Sequence, residues 1–410
     1  MTKPSPVTGP SPVTELPVTE PPAAGVTRVT TLELFFDLVF VFAVTQLTAV
    51  LAADVSLVGL GRVAMLFTIM WWMYDGYAWL TNSVAPTSTA RRTLLVSAMA
   101  GFLAIALAIP HAFGEDGWAF GVGYFVVNVI HSGLFLAAGG PGVVKAALGL
   151  APYNLVSASL VLAGGFAPGG WRYALWGAAL CVQAATPYLH PLGGFGVAPA
   201  HFVERHGLVV IVALGESIVA IGVGAQGLPL SVGLIAVAVL SLVLAYFLWW
   251  AYFGSDDVRA EHALASIADP QRRSRMALHA FGYVHVPLLI AVVMAAAGVK
   301  KTIGHPGDEL GWGAAGLLGG GVALFLLSEV AFQRVLSLDS SRWRLAAVAG
   351  AAAAVPLGAL INGATQLAAT VAVVATLLSI EGYRGVRAGT HLPYLANSSG
   401  GGAGDLRISR

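Results

Sequence analysis

TLELFFDLVFVFAVTQLTAVLAA, residues 31–53, is long and apolar enough to cross a bilayer, since about 20 residues rising roughly 1.5 Å each span the hydrocarbon. The same run carries Glu33 and Asp37 near its start and Thr45, Gln46 and Thr48 further along. Residues four apart share a helix face, so both carboxylates lie on one stripe, to which Thr48 returns about three turns later. A carboxylate facing lipid costs about 2.5–3.5 kcal/mol or more, so the stripe has to face protein or a wet cavity. Two readings stay open. The stripe is either a helix cap and interface anchor at the membrane surface, or the mouth of a polar pathway.

Composition extends the first reading to the whole chain. With 57% hydrophobic and 10% charged residues and a mean hydropathy of +0.80, a soluble globular class is excluded. Lys+Arg number 21 against 20 Asp+Glu, so nothing draws the chain to nucleic acid. The single Cys181 excludes an internal disulfide and any multi-cysteine metal or cluster site. Apolar runs follow at about 32–53, 57–80, 93–113, 118–138, 144–166, 171–192, 207–226, 231–253, 276–299, 312–335, 343–363 and 365–386. The expectation is an all-α polytopic membrane protein of about 12 transmembrane helices, with the lipid bilayer as its first partner. Residues 1–27, Pro/Thr/Val-rich with SPVT at 5–8 and 11–14, and the Gly/Ser-rich 389–410 read as disordered tails.

Charge gives an orientation. With the N-terminus in the cytoplasm, twelve spans leave Arg62, Arg172, Lys300 and Lys301 outside and the other 17 Lys and Arg inside, which predicts cytoplasmic termini. An internal repeat divides the spans. EL-FFDLVFVFAVTQL from Glu33 aligns with ER-HGLVVIVALGESI from Glu204, and Trp71-Trp72-x-Tyr74 with Trp249-Trp250-x-Tyr252. Arg91-Arg92 aligns with Arg272-Arg273, and Gly117-Trp118 with Gly311-Trp312, in the same order. This predicts two parallel six-helix halves, 28–198 and 199–388, related by an axis along the membrane normal, as in many transporters.

The polar residues inside spans are the candidate site. In HFVERHGLVVIVALGESIVAIG, residues 201–222, Arg205, Val209, Val212 and Glu216 fall on one stripe. Glu216 lies roughly 13 Å into its apolar run, near the midplane. It is either a protonated side chain bonded to a neighbouring helix or part of a functional path. His131 and His285 fall near mid-depth, and each could neutralise Glu216 or pass a proton. Asp75, with Arg91 and Arg92 soon after, is expected to join Glu33 and Asp37 in a vestibule or a surface salt-bridge network. Glu381 has Arg384 three residues on, which reads as a local pair. Pro187, Pro287 and Pro356 fall inside spans, where each either kinks its helix or breaks it and exposes backbone, and Gly316 with Gly320 reads as a close crossing. No phosphate loop, nucleophile elbow or zincin spacing is present. His201, Glu204 and His206 are a weak metal candidate, so the sequence implies no cofactor and no metal.

LELFFDLVFVFAVTQLT and ERHGLVVIVALGESIVAIG resemble the bacterial low temperature requirement protein A family, over roughly residues 28–387. The resemblance implies a contribution to growth in the cold and supplies no biochemical activity. The family-like polar positions are Glu33, Asp37, Gln46, Glu204, Gly215, Glu216 and Ser217, while His206 departs from the aromatic residue expected after Glu-Arg. The leading expectation is a secondary transporter or ion pathway, moving protons, cations or a small molecule past Glu33, Asp37, Gln46, Asp75, His131, Glu204, Arg205, Glu216, Ser217 and His285. The alternative is a membrane factor or lipid-interface protein without transport, its arginine-rich loops on anionic head groups.

Overall fold

The computed structural model describes residues 29–83, 88–138, 140–190, 192, 194–339 and 342–388, so both expected tails lie outside the described residues. Every regular element among these is helical. The first is α1 (Thr31–Ala53), started by Thr30, whose hydroxyl accepts from the Glu33 amide while the Glu33 carboxylate takes the Thr30 amide. This reciprocal cap satisfies two of the donors that a helix start leaves over. There follow α2 (Leu57–Ser83), α3 (Thr89–Ala108), α4 (Gly117–Ala138), α5 (Pro141–Phe166), α6 (Gly170–Leu189), α7 (Pro199–Ala225) and α8 (Val232–Phe253). Two short helices, α9 (Asp256–Ala265) and α10 (Pro270–Ala277), lead through a π-helical turn at Leu278–Tyr283 into α11 (His285–Gly304). The chain ends in α12 (Gly311–Val335), α13 (Arg342–Ala353), α14 (Val355–Leu360) and α15 (Gly363–Ala388).

Among the described residues, 11 helical runs are long and apolar enough to cross a membrane, with α8–α9, α10–α11 and α13–α14 each taken as one run. The run left over is α6, which holds Arg172, Gln183 and Pro187. Parity shows that α6 crosses as well. Helices α1 and α7 lie side by side and parallel: Asp37 meets Arg205, and further along both helices Thr45 meets Glu216. With α1 to α5 crossing, α7 can run parallel to α1 only if α6 crosses too. Twelve crossings result, as the hydropathy pattern predicts. Arg172 of α6 fastens the far ends, donating to the carbonyls of Ala112, Gly114, Gly164 and Gly165, where helix C-termini favour a cation.

Helix α11 is the hub. Its apolar run is 78% buried and that of α12 is 72%, against 22% for α5. It packs against α1, α2, α7, α8 and α12. The outer helices turn Phe35, Leu38, Leu107, Val126 and Leu242 outward, a belt that suits lipid. Gly316 and Gly320 do not make the close crossing their spacing promised: a Cβ on Gly316 would meet nothing, and one on Gly320 only the end of Met294, at 3.8 Å. The crossing of α11 and α12 is at Gly298 and Gly321, where a Cβ would lie 2.6 Å from the backbone nitrogens of Leu318 and Ala295. Backbone cannot step aside as a flexible side chain can. Gly298→Ala should therefore cost about 1–3 kcal/mol and Gly316→Ala less than about 0.5 kcal/mol, compared by thermal unfolding in one detergent.

Candidate functional site

Where α1, α2 and α7 meet, near the end at which α1 begins, three carboxyl groups are buried: Glu33 at 2% exposure, Asp37 at 0% and Asp75 at 5%. The Arg205 guanidinium donates to Asp37 Oδ2 at 2.9 Å and to the Glu33 carbonyl at 2.6 Å. It lies over the rings of Phe36 and Tyr74, at 5.8 and 5.6 Å, and the Tyr74 hydroxyl donates to Asp37 Oδ1 at 2.7 Å. His201 Nε2 stands 3.3 Å from Glu33 Oε1, and His206 Nε2 stands 3.0 Å from Asp75 Oδ1. Helix α7 supplies all three basic partners, His201 and Arg205 from one stripe and His206 from about 100° further round the helix.

The cluster holds more acids than fixed positive charge. Three carboxyl groups face one arginine. Burial favours neutrality, which two further protons on its histidines or its acids would supply. The Asp75–His206 contact is the clearest case. His206 Nδ1 is 2.8 Å from the Phe202 carbonyl, which can only accept, so that nitrogen carries a proton. The 3.0 Å contact of Nε2 with Asp75 then needs a second proton, on the ring or on the carboxyl. Both states keep the hydrogen bond and the overall charge.

The π-helical turn at Leu278–Tyr283 shapes the next shell. The Trp71 indole donates to the Gly282 carbonyl at 2.8 Å. His285 Nδ1 reaches the Ala280 carbonyl at 2.9 Å, and His285 Nε2 lies 3.0 Å from the Tyr252 hydroxyl. Both contacts of His285 are met by a neutral ring with its proton on Nδ1, and it stacks with Trp71 at 6.1 Å. Helix irregularity near Pro287 thus does what a broken helix can do, offering carbonyls to side chains. On its other side Asp75 fronts a cavity of about 90 Å³ between α2, α4, α5 and α6, lined also by His131, Trp72, Trp79, Phe135 and Phe195.

Comparison with known proteins adds the lineage. Residues 28–379 match the family model described as bacterial low temperature requirement A protein (LtrA). The chain belongs to this family. A relative, an uncharacterized protein of Rhizobium meliloti (strain 1021), is 31% identical over 318 residues, covering 74% of this chain and 77% of that protein.

In this LtrA protein the residues singled out from sequence part company. Glu33, Asp37, Asp75 and Arg205 come together, and His285 joins them through His206, their ring centres 5.7 Å apart. Glu33 caps α1, as the first reading of its stripe expects, and it also belongs to the buried cluster. Arg205 answers the acids, while Arg92 is exposed at the start of α3. Glu216 is elsewhere, 11 residues beyond Arg205 on α7 and 2% exposed, with the Thr45 hydroxyl 2.5 Å from its Oε2. Ser217 is buried beside it, Glu204 is exposed, and Gln46 is half-buried with no hydrogen bond among the described residues. His131 does not reach Glu216 and lines the cavity instead.

A second buried cluster was hidden from the sequence. Arg344 of α13 meets Asp256 at 2.8 Å, Glu329 at 3.5 Å and Glu381 at 3.0 Å, and Gln333 donates to Asp256 at 2.7 Å. The local pair expected between Glu381 and Arg384 does not form. Arg384 lies over the Trp343 ring at 4.9 Å.

Proposed function

We propose that this LtrA protein is a secondary transporter driven by protons, with the Asp75–His206 pair as its proton-exchange unit. The carrying observation is the buried Asp75–His206 contact, which needs a proton that either partner can hold and which borders a cavity. Glu216 with Thr45, about 15 Å beyond His206 along α7 at 1.5 Å per residue, is a second stop for the proton. The parallel seam, on which Thr45 meets its counterpart Glu216 across the repeat offset, supports two six-helix halves that rock against each other. The excess of arginine at the end where α1 begins supports a cytoplasmic side for that end, as the charge pattern of the sequence predicts for both termini. Transport of this kind would be the contribution to growth in the cold that the family description names.

The test is proton movement in liposomes that contain the purified chain and a trapped pH-sensitive dye. An imposed pH gradient should dissipate faster than in empty vesicles. Asp75→Asn and His206→Gln should each lower the protein-dependent rate at least tenfold, because neither pair can pass a proton through the same contact. Glu216→Gln should also slow it. An unchanged rate there removes Glu216 from the path, and wild-type vesicles no faster than empty ones end the transporter reading.

A further inference from the structure

The cavity beside Asp75 has features that loose packing does not explain. Its volume of about 90 Å³ is several times the ~10–15 Å³ that one water needs. His131 lines it at 5% exposure, and among the described residues the only hydrogen-bonding group set against its ring is the Gly76 backbone, which can serve one of the two nitrogens. The other nitrogen of this buried imidazole loses its hydration for no return, unless something else occupies the space. The ring is held against Gly76, where an added Cβ would lie 3.1 Å from Nε2, so α2 makes room for it.

Aromatic rings enclose the same space. Trp79 stands edge-on to Phe195 at 6.3 Å, Phe195 to Phe135 at 5.2 Å, and Phe135 to His131 at 5.0 Å. This arc runs from α2 to α4, with Trp72 also on the wall. The faces of such rings carry negative potential and attract cations, alkylated ammonium ions above all. Asp75 supplies a carboxylate on the same wall, and His131 offers a nitrogen that can accept an N–H. An anion would meet Asp75 as a like charge. A purely apolar occupant would leave Asp75 and His131 desolvated, and a bare metal ion would lack the six or more oxygens it seeks.

We propose that this cavity binds a small organic ammonium ion. Calling that ion the transported substrate rests on the transporter reading; the binding itself does not. In the ammonium-bound state Asp75 is the counter-ion, so the cation and the shared proton compete for one carboxylate, which is how the two would be coupled.

The test uses the purified full-length chain, titrated with tetramethylammonium chloride while tryptophan emission is followed. Sodium chloride at matched ionic strength and tert-butanol, a neutral molecule of similar shape, are the comparisons. A saturable response to tetramethylammonium is expected, with sodium and tert-butanol at least tenfold weaker. Asp75→Asn should weaken tetramethylammonium binding at least tenfold. Trp79→Leu, which keeps the carboxylate, should weaken it severalfold and serves where Asp75→Asn does not fold. Absence of saturation in the wild type, equal binding of tert-butanol, or unchanged affinity in the folded variants overturns the proposal. Binding without proton flux in liposomes leaves the site standing and defeats the transporter reading, and flux without binding does the reverse.

Discussion

Arg205→Met is expected to lower the stability of the bundle by about 3–5 kcal/mol, the cost of removing one partner from a buried ion pair. Methionine fills much of the same volume, so the loss comes from charge and hydrogen bonds rather than from a hole. Asp37, at 0% exposure, would keep only the Tyr74 hydroxyl, and the Glu33 carbonyl would lose its donor. Asp37→Asn alone should also destabilise, since it leaves the guanidinium without its counter-charge between Phe36 and Tyr74. Combined, the two changes should cost clearly less than their sum, because the second removes the charge that the first strands. Thermal unfolding of the detergent-solubilised variants gives the cycle. Additive losses, or an Arg205→Met loss below about 1 kcal/mol, would show that this pair does not hold α1 to α7.

The membrane fold was legible because lipid makes long apolar runs obligatory, and each expected span from 32–53 to 365–386 has its helix. The least apolar of them, α6, was still visible as a run at 171–192, and only the parallel seam of α1 and α7 fixes that it crosses. The acids of α1 were legible because they violate the apolar rule in plain view, and Arg205 because it opens the repeat of the same motif. Their partners were not. Asp75 and His206 are 131 residues apart, and nothing in either local pattern points to the other. His206 looked like a departure from the family pattern, yet it is the residue whose ring meets Asp75 at 3.0 Å. Glycine spacing misled for a related reason. Gly316 and Gly320 have the right interval, but which face of α12 meets α11 is set by the whole bundle, and that face carries Gly321.

The Arg344 cluster separates local from tertiary pairing most sharply. Arg344→Met should cost about 3–5 kcal/mol or more, because one guanidinium answers Asp256, Glu329 and Glu381 from three other helices. Its contact with Glu381 is two-pronged, Nη2 to Oε1 at 3.0 Å and Nε to Oε2 at 3.4 Å, the geometry in which arginine outdoes lysine. Arg344→Lys should therefore recover only part of the loss, since an ammonium cannot span three carboxyl groups as a planar fork does. Arg384→Met is the counterpart on the neighbouring turn of α15. Its side chain is exposed and lies over Trp343, a contact worth about 0.5–1 kcal/mol at such a site. Had the i,i+3 spacing of Glu381 and Arg384 governed, the two substitutions would rank the other way. Unfolding temperatures for the three variants, measured in one detergent, decide the order, and an Arg384→Met loss equal to that of Arg344→Met would dissolve the cluster as the clamp on α9, α12, α13 and α15.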